Sequence, residues 1–151
     1  MISSLTEFDE VDETESTLVF DYPHDTTIEP SWGYEQIRTY DAFKYILQHK
    51  TLEDLPEIVI GIIDDGVTTG NKYFDERLIA AYSFIGQNPY FSTASHGAKV
   101  AGVILENTLP NVKIISYQVF QNRQGLNSLI RLAEKQAELD KVDIVNSSYG
   151  Y

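Results

Sequence analysis

Cysteine is absent from the 151 residues, and with it go disulfide frameworks, thiolate zinc sites and a thiol nucleophile. Basic side chains are scarce: 11 Lys and Arg stand against 23 Asp and Glu, a formal net charge of −12. That balance opposes a phosphate backbone and an anionic lipid surface, so neither a nucleic acid nor a membrane is an expected partner. No apolar run in the sequence approaches the roughly 18 residues of a transmembrane helix. The opening stretch from Met1 to Ser16 has no Lys or Arg and no apolar segment, unlike a signal peptide, and the expected compartment is the cytoplasm. Low-complexity Pro or Gly tracts are missing too, with 5 Pro and 9 Gly in all.

What is present is the material of one modest globular domain: 42% apolar and 12% aromatic residues, enough to bury a core. The negative charge is uneven. Residues 1–29 carry nine acids (Glu7, Asp9, Glu10, Asp12, Glu13, Glu15, Asp21, Asp25, Glu29) and no base. A block of like charge repels itself, so 1–29 is expected to be a flexible acidic extension, with the folded domain over 30–151.

Within that domain apolar periodicity alternates between two kinds. Ile37, Tyr40, Phe43, Ile46 and Leu47 recur at helical spacing over 35–49 and predict an amphipathic helix packing one face on a sheet. Glu57 to Ile63 is a continuous β-branched run ended by Asp64-Asp65-Gly66, a strand buried on both faces with a polar turn at its carboxyl end. Further strands are expected over 78–84, 112–120 and 142–148, and helices over 96–106 and about 126–141. Strands separated by helices of this length imply crossovers and a three-layer α/β domain with a mostly parallel sheet.

Functional groups of an open parallel sheet collect beyond the carboxyl ends of its strands, where Asp64 and Asp65 are expected. Asp-Asp-Gly also makes a good turn in its own right. Ser95-His96-Gly97-Ala98-Lys99-Val100-Ala101-Gly102 places an imidazole at a helix start, followed by small residues that let the helix approach its sheet. Ile144-Val145-Asn146-Ser147-Ser148-Tyr149-Gly150 is a buried-looking strand that turns polar. An Asp-Asp pair after an apolar strand also occurs in phosphoacceptor receiver domains, where it helps to bind Mg²⁺. That fold needs a further Asp ending a later strand, where this chain has Gln118-Val119-Phe120 and Asn146-Ser147-Ser148.

In this order the three segments resemble the subtilisin-like serine peptidases, the subtilase family. Ile60-Gly61-Ile62-Ile63-Asp64-Asp65-Gly66-Val67 looks like the strand carrying the catalytic Asp, in the Asp-Asp-Gly form of the kexin-like branch. His96-Gly97-Ala98-Lys99-Val100-Ala101-Gly102 looks like the His motif, with Ala98 and Lys99 in place of Thr and His. Asn146-Ser147-Ser148-Tyr149-Gly150 is similar to the strand that pairs with substrate backbone, and Trp32-Gly33-Tyr34-Glu35-Gln36-Ile37 to the start of the family domain.

The resemblance implies Asp64 and His96 as catalytic residues, in hydrogen-bond reach or one water apart, and Ser148, Tyr149 and Gly150 as substrate-contacting ones. It implies polypeptide substrates and peptide-bond hydrolysis. The family's Gly-Thr-Ser-x-Ala nucleophile motif and its oxyanion Asn are not in this sequence. Losing the serine alone costs on the order of 10⁶ in turnover. The sequence is therefore expected to hold a subtilisin-like fold incomplete at its carboxyl end, inactive by itself and completed by a polypeptide that carries the serine. The alternative is a pseudopeptidase that binds a peptide or protein without catalysis. No cofactor is required. The resemblance admits calcium near Asp75, although acids on a loop are ordinarily just solvated, and His24, His49 and His96 have no zinc-ligand spacing.

Overall fold

The computed structural model describes residues 33, 36–70, 72–92, 95–121, 124–125 and 127–149. The acidic stretch 1–29, Trp32 and Gly150 lie outside the described residues. Helices α1 (Thr39–His49), α2 (Lys72–Asp75), α3 (His96–Glu106) and α4 (Asn127–Leu139) accompany strands β1 (Ile58–Asp64), β2 (Leu78–Ser83), β3 (Val112–Gln118), β4 (Phe120–Gln121), β5 (Gln124–Gly125) and β6 (Ile144–Asn146). β2, β3, β1 and β6 form one sheet in that order, every neighbouring pair parallel.

The period-2 geometry of β1 divides its side chains between two cores. Ile58, Ile60 and Ile62 join Val112 and Ile114 of β3 under Ala101 and Leu105 of α3. Val59 and Ile63 join Ile115 and Tyr117 of β3 under Ala133 and Ala137 of α4. The result is helix, sheet, helix. Small residues at the helix contacts let α3 and α4 come close, and burial of a residue such as Ile62 or Leu105 is worth about 2 kcal/mol. The same parity puts Asp64, even-numbered like Ile60 and Ile62, on the α3 side.

The connections after β1 and β3 leave on opposite faces: Val67 and Phe74 pack on the α3 side, whereas α4 covers the other. Neighbouring parallel strands that diverge in this way open a crevice at their carboxyl ends. Asp64 is paired with Gln118 at that point.

Three elements differ from the sequence expectation. α1 begins at Thr39, because Arg38 before it takes φ 56°, and only Thr39 of this helix is buried. Ile37 and Tyr45 are exposed, since α3 and α4 already cover the two faces of the sheet. The strand expected over 142–148 is β6, with Ile144 and Val145 about half exposed, because it has one neighbour, β1. The strand expected over 112–120 stops at Gln118, and an antiparallel β4–β5 pair follows.

Candidate active site

Asp64 ends β1 and His96 opens α3, 32 positions later. The structure brings them together: His96 Nδ1 lies 2.9 Å from Oδ1 and 3.0 Å from Oδ2 of Asp64. A carboxylate only accepts, so Nδ1 donates and the lone pair of the neutral ring resides on Nε2. The Asp64 side chain is 4% exposed and that of His96 57%. The pair is therefore anchored in the protein at the carboxylate and open to solvent at the imidazole. Oδ1 of Asp64 also accepts from the Asp65 amide at 2.8 Å, and the Asp64 carbonyl accepts from the Val119 amide at 2.9 Å.

Asp65 faces the start of α3. Its Oδ1 accepts the Gly97 amide at 2.7 Å and its Oδ2 the His96 amide at 3.2 Å. These are two of the four amides that a helix start leaves without intrahelical partners. Ser95 occupies the capping position and makes no side-chain cap, so the cap comes from the turn that follows β1. Two features permit the approach. Gly66 turns the chain after Asp65 at φ 98°, a conformation that side chains other than Gly resist. A Cβ on Gly97 would stand 2.5 Å from the Gly66 carbonyl oxygen and 3.0 Å from Asp65 Oδ1.

Gln118, buried beside Asp64, gives its Nε2 to the Asp65 carbonyl at 3.1 Å. The Ser92 hydroxyl donates to the same carbonyl at 2.6 Å, and the Thr68 hydroxyl donates to the Ser92 carbonyl and accepts from the Ser92 amide. The crevice floor is thus held from β1, β3 and the loop before α3. Sequence reasoning did not single out Gln118 or Ser92; a polar residue closing an apolar strand is a weak signal for the former.

Ser148 and Tyr149 follow β6, whose ladder with β1 ends where Asn146 faces Ile62. The Ser148 hydroxyl donates to Asn146 Oδ1 at 2.8 Å. The Tyr149 ring meets Phe120 edge-on, with centroids 4.7 Å apart, and packs on the α4-side core. Asp75 accepts the Gly70 amide at 3.1 Å. No group of three or more His, Asp or Glu able to hold a metal gathers there or elsewhere among the described residues. No helix among the described residues is long and apolar enough to cross a membrane.

Comparison with known proteins bears on the fold and the family. A solved structure described as a lanthipeptide protease superposes with a TM-score of 0.60 at 23% identity, over 78% of this chain and 33% of that one. The chain therefore spans about a third of that protease, and a likeness at this identity speaks for the fold. No curated protein matches the sequence. The model of the subtilase family matches residues 56–151, well over half of the chain and the part that holds β1, α3 and β6, and the chain belongs to the subtilase family.

Proposed function

We propose that this chain supplies the Asp–His part of a serine peptidase centre, with Asp64 and His96 catalytic. The observation that carries the proposal is the hydrogen bond from Nδ1 of a solvent-open imidazole to a buried carboxylate. In such a pair Asp64 fixes the tautomer and stabilises the imidazolium, and Nε2 takes the proton of a serine hydroxyl as it attacks a peptide carbonyl. The same nitrogen then gives that proton to the leaving amine. Ser148, Tyr149 and Gly150 lie after β6 and contact the backbone of the polypeptide substrate.

The nucleophile comes from a polypeptide segment bearing Gly-Thr-Ser-x-Ala. Of the described serines, Ser116 is buried in β3, Ser92 is bonded to Asp65 and Ser148 to Asn146. The 151-residue chain, treated with a fluorophosphonate, is expected to show no labelled serine. With the serine-bearing segment added, labelling appears on that segment and disappears in H96A. Labelling of a serine within residues 1–151, or labelling of the complex that H96A leaves intact, overturns the proposal. Tight peptide binding by a complex that is never labelled identifies the non-catalytic alternative.

A further inference from the structure

His96 has two requirements. Its Nδ1 needs an acceptor, which Asp64 provides, and its backbone needs a fixed height above the sheet. The second is not automatic, because the first turn of a helix has no intrahelical bonds for its amides and frays. Ser95 leaves that turn uncapped. Asp65 closes it, with one carboxylate oxygen on each of the amides of His96 and Gly97.

Asp65 is itself held on every side that matters. Its amide donates to Asp64, and its carbonyl accepts from both Ser92 and Gln118. Gly66 and Gly97 leave room for strand turn and helix to touch. A negative carboxylate also matches the positive end of the α3 dipole. Neighbouring carboxylates thus divide the work: Asp64 takes the ring and Asp65 takes the main chain of the same histidine.

We propose that Asp65 is a positioning residue for His96, acting through the first turn of α3 to hold the imidazole against Asp64. The inference rests on the peptidase reading for its consequence in turnover, but the geometry is testable without turnover.

Nitrogen-15 NMR of the full 151-residue chain distinguishes the two forms of the neutral imidazole. In the wild type His96 is held as the Nδ1–H form. In D65A the population is expected to move toward the mixture of a free histidine, and exchange of the Gly97 amide to rise by about tenfold, the scale of one lost cap. D65N keeps one acceptor for Gly97 and is expected to recover part of both signals. A purely turn-making Asp65 predicts a wild-type ring tautomer in D65A, and that result overturns the proposal.

The control is D64N, which should release the tautomer while the Gly97 amide stays protected. A tautomer unchanged in D64N sinks the Asp64–His96 pairing itself, a failure distinct from that of Asp65. Should D65A not fold, the wild-type chain decides. Protection of the His96 and Gly97 amides above that of an unstructured peptide supports the capping role, and its absence overturns it.

Discussion

The two ends of α3 are held by opposite charges from the same connection. Asp65 opens the β1–β2 connection and its carboxylate caps the amides of His96 and Gly97. Arg77 closes that connection and its guanidinium reaches the other end, bonding the carbonyls of Leu105, Thr108, Leu109 and Val112 and the Thr108 hydroxyl. An anion at the amino end and a cation at the carboxyl end both suit the helix dipole. The difference lies in burial. Arg77 is 6% exposed and fully enclosed in bonding partners, whereas the imidazole beside Asp65 is open to solvent. One end is enclosed and the other open to solvent, and a helix of 11 residues, about 16 Å long, joins them.

The sharpest way to break this comparison is at the buried end. R77M keeps apolar volume but takes a donor from four carbonyls; Leu109 keeps the Val112 amide and Leu105 the longer bond from the Thr108 hydroxyl, and each buried polar group left unsatisfied costs about 1–3 kcal/mol. We expect a loss of about 2 kcal/mol or more in urea unfolding, with R77K intermediate because an ammonium lacks the planar fork. A loss below about 0.5 kcal/mol would show that the two ends do not differ as described.

At the open end the largest effect comes from sterics. In G97A the new methyl meets the Gly66 carbonyl, which is backbone and cannot swing aside. The first turn of α3 must lift, at a cost of about 1–3 kcal/mol by the scale of overpacked sites. The NMR signature of the Nδ1–H bond to Asp64 should weaken in the same variant. Loss of stability with the bond intact would mean that the helix shifts as a body, carrying His96 and Asp64 together.

These contrasts explain what could be read in the sequence. β1 was legible because a β-branched run ending in Asp-Asp-Gly admits few structures, and α3 because small residues after His96 suit close helix–sheet contact. The approach of Asp64 and His96 was expected from the family motifs. The role of Asp65 was not legible, because the amides it caps are 31 and 32 positions away and Ser95, beside them, has the identity of a local cap. Arg77 gave no signal, since a lone Arg before a strand ordinarily reads as solvated. The exposure of β6 was missed for a related reason: apolar character records a preference for burial, while edge position is a property of the whole sheet.

The α4 side of the sheet offers a comparison free of the site. The Tyr82 and Tyr117 rings stack at 5.5 Å, and both hydroxyls donate to Asp140, at 3.1 and 2.8 Å. Burial pushes the Tyr117 phenol well above the usual tyrosine range, reinforced by its bond to Asp140 and by the charge there; Tyr82 is raised for the same reasons. The unfolded chain releases these protons near pH 10 and the folded chain keeps them, so stability is whole below about pH 10 and falls above it. Each pH unit beyond about 10 should remove up to about 1.4 kcal/mol for the buried Tyr117, and less for Tyr82, where solvent screens the interaction. Y117F should make that decline shallower, and an identical slope would locate the titration elsewhere.

The carboxyl ends of α3 and α4 solve one problem by different means, and glycine should separate them. α4 closes through its backbone: the Val142 amide bonds the Ala137 carbonyl and the Lys141 amide that of Glu138, with Lys141 at φ 56°. This pairing is the Schellman motif, whose left-handed position favours Gly. K141G should therefore stabilise the chain by about 0.5–1 kcal/mol, reduced by the extra freedom Gly gains when unfolded. At the end of α3, Asn107 has φ −102°, and its side chain donates to the Val103 carbonyl and accepts from the Thr39 hydroxyl. N107G removes both bonds without relieving any strain, and should destabilise by about 1 kcal/mol. Opposite signs for one substitution at two helix ends are the expected outcome of parallel urea titrations. Equal signs would mean that α3, like α4, is closed by its main chain, leaving Arg77 a smaller part in holding it.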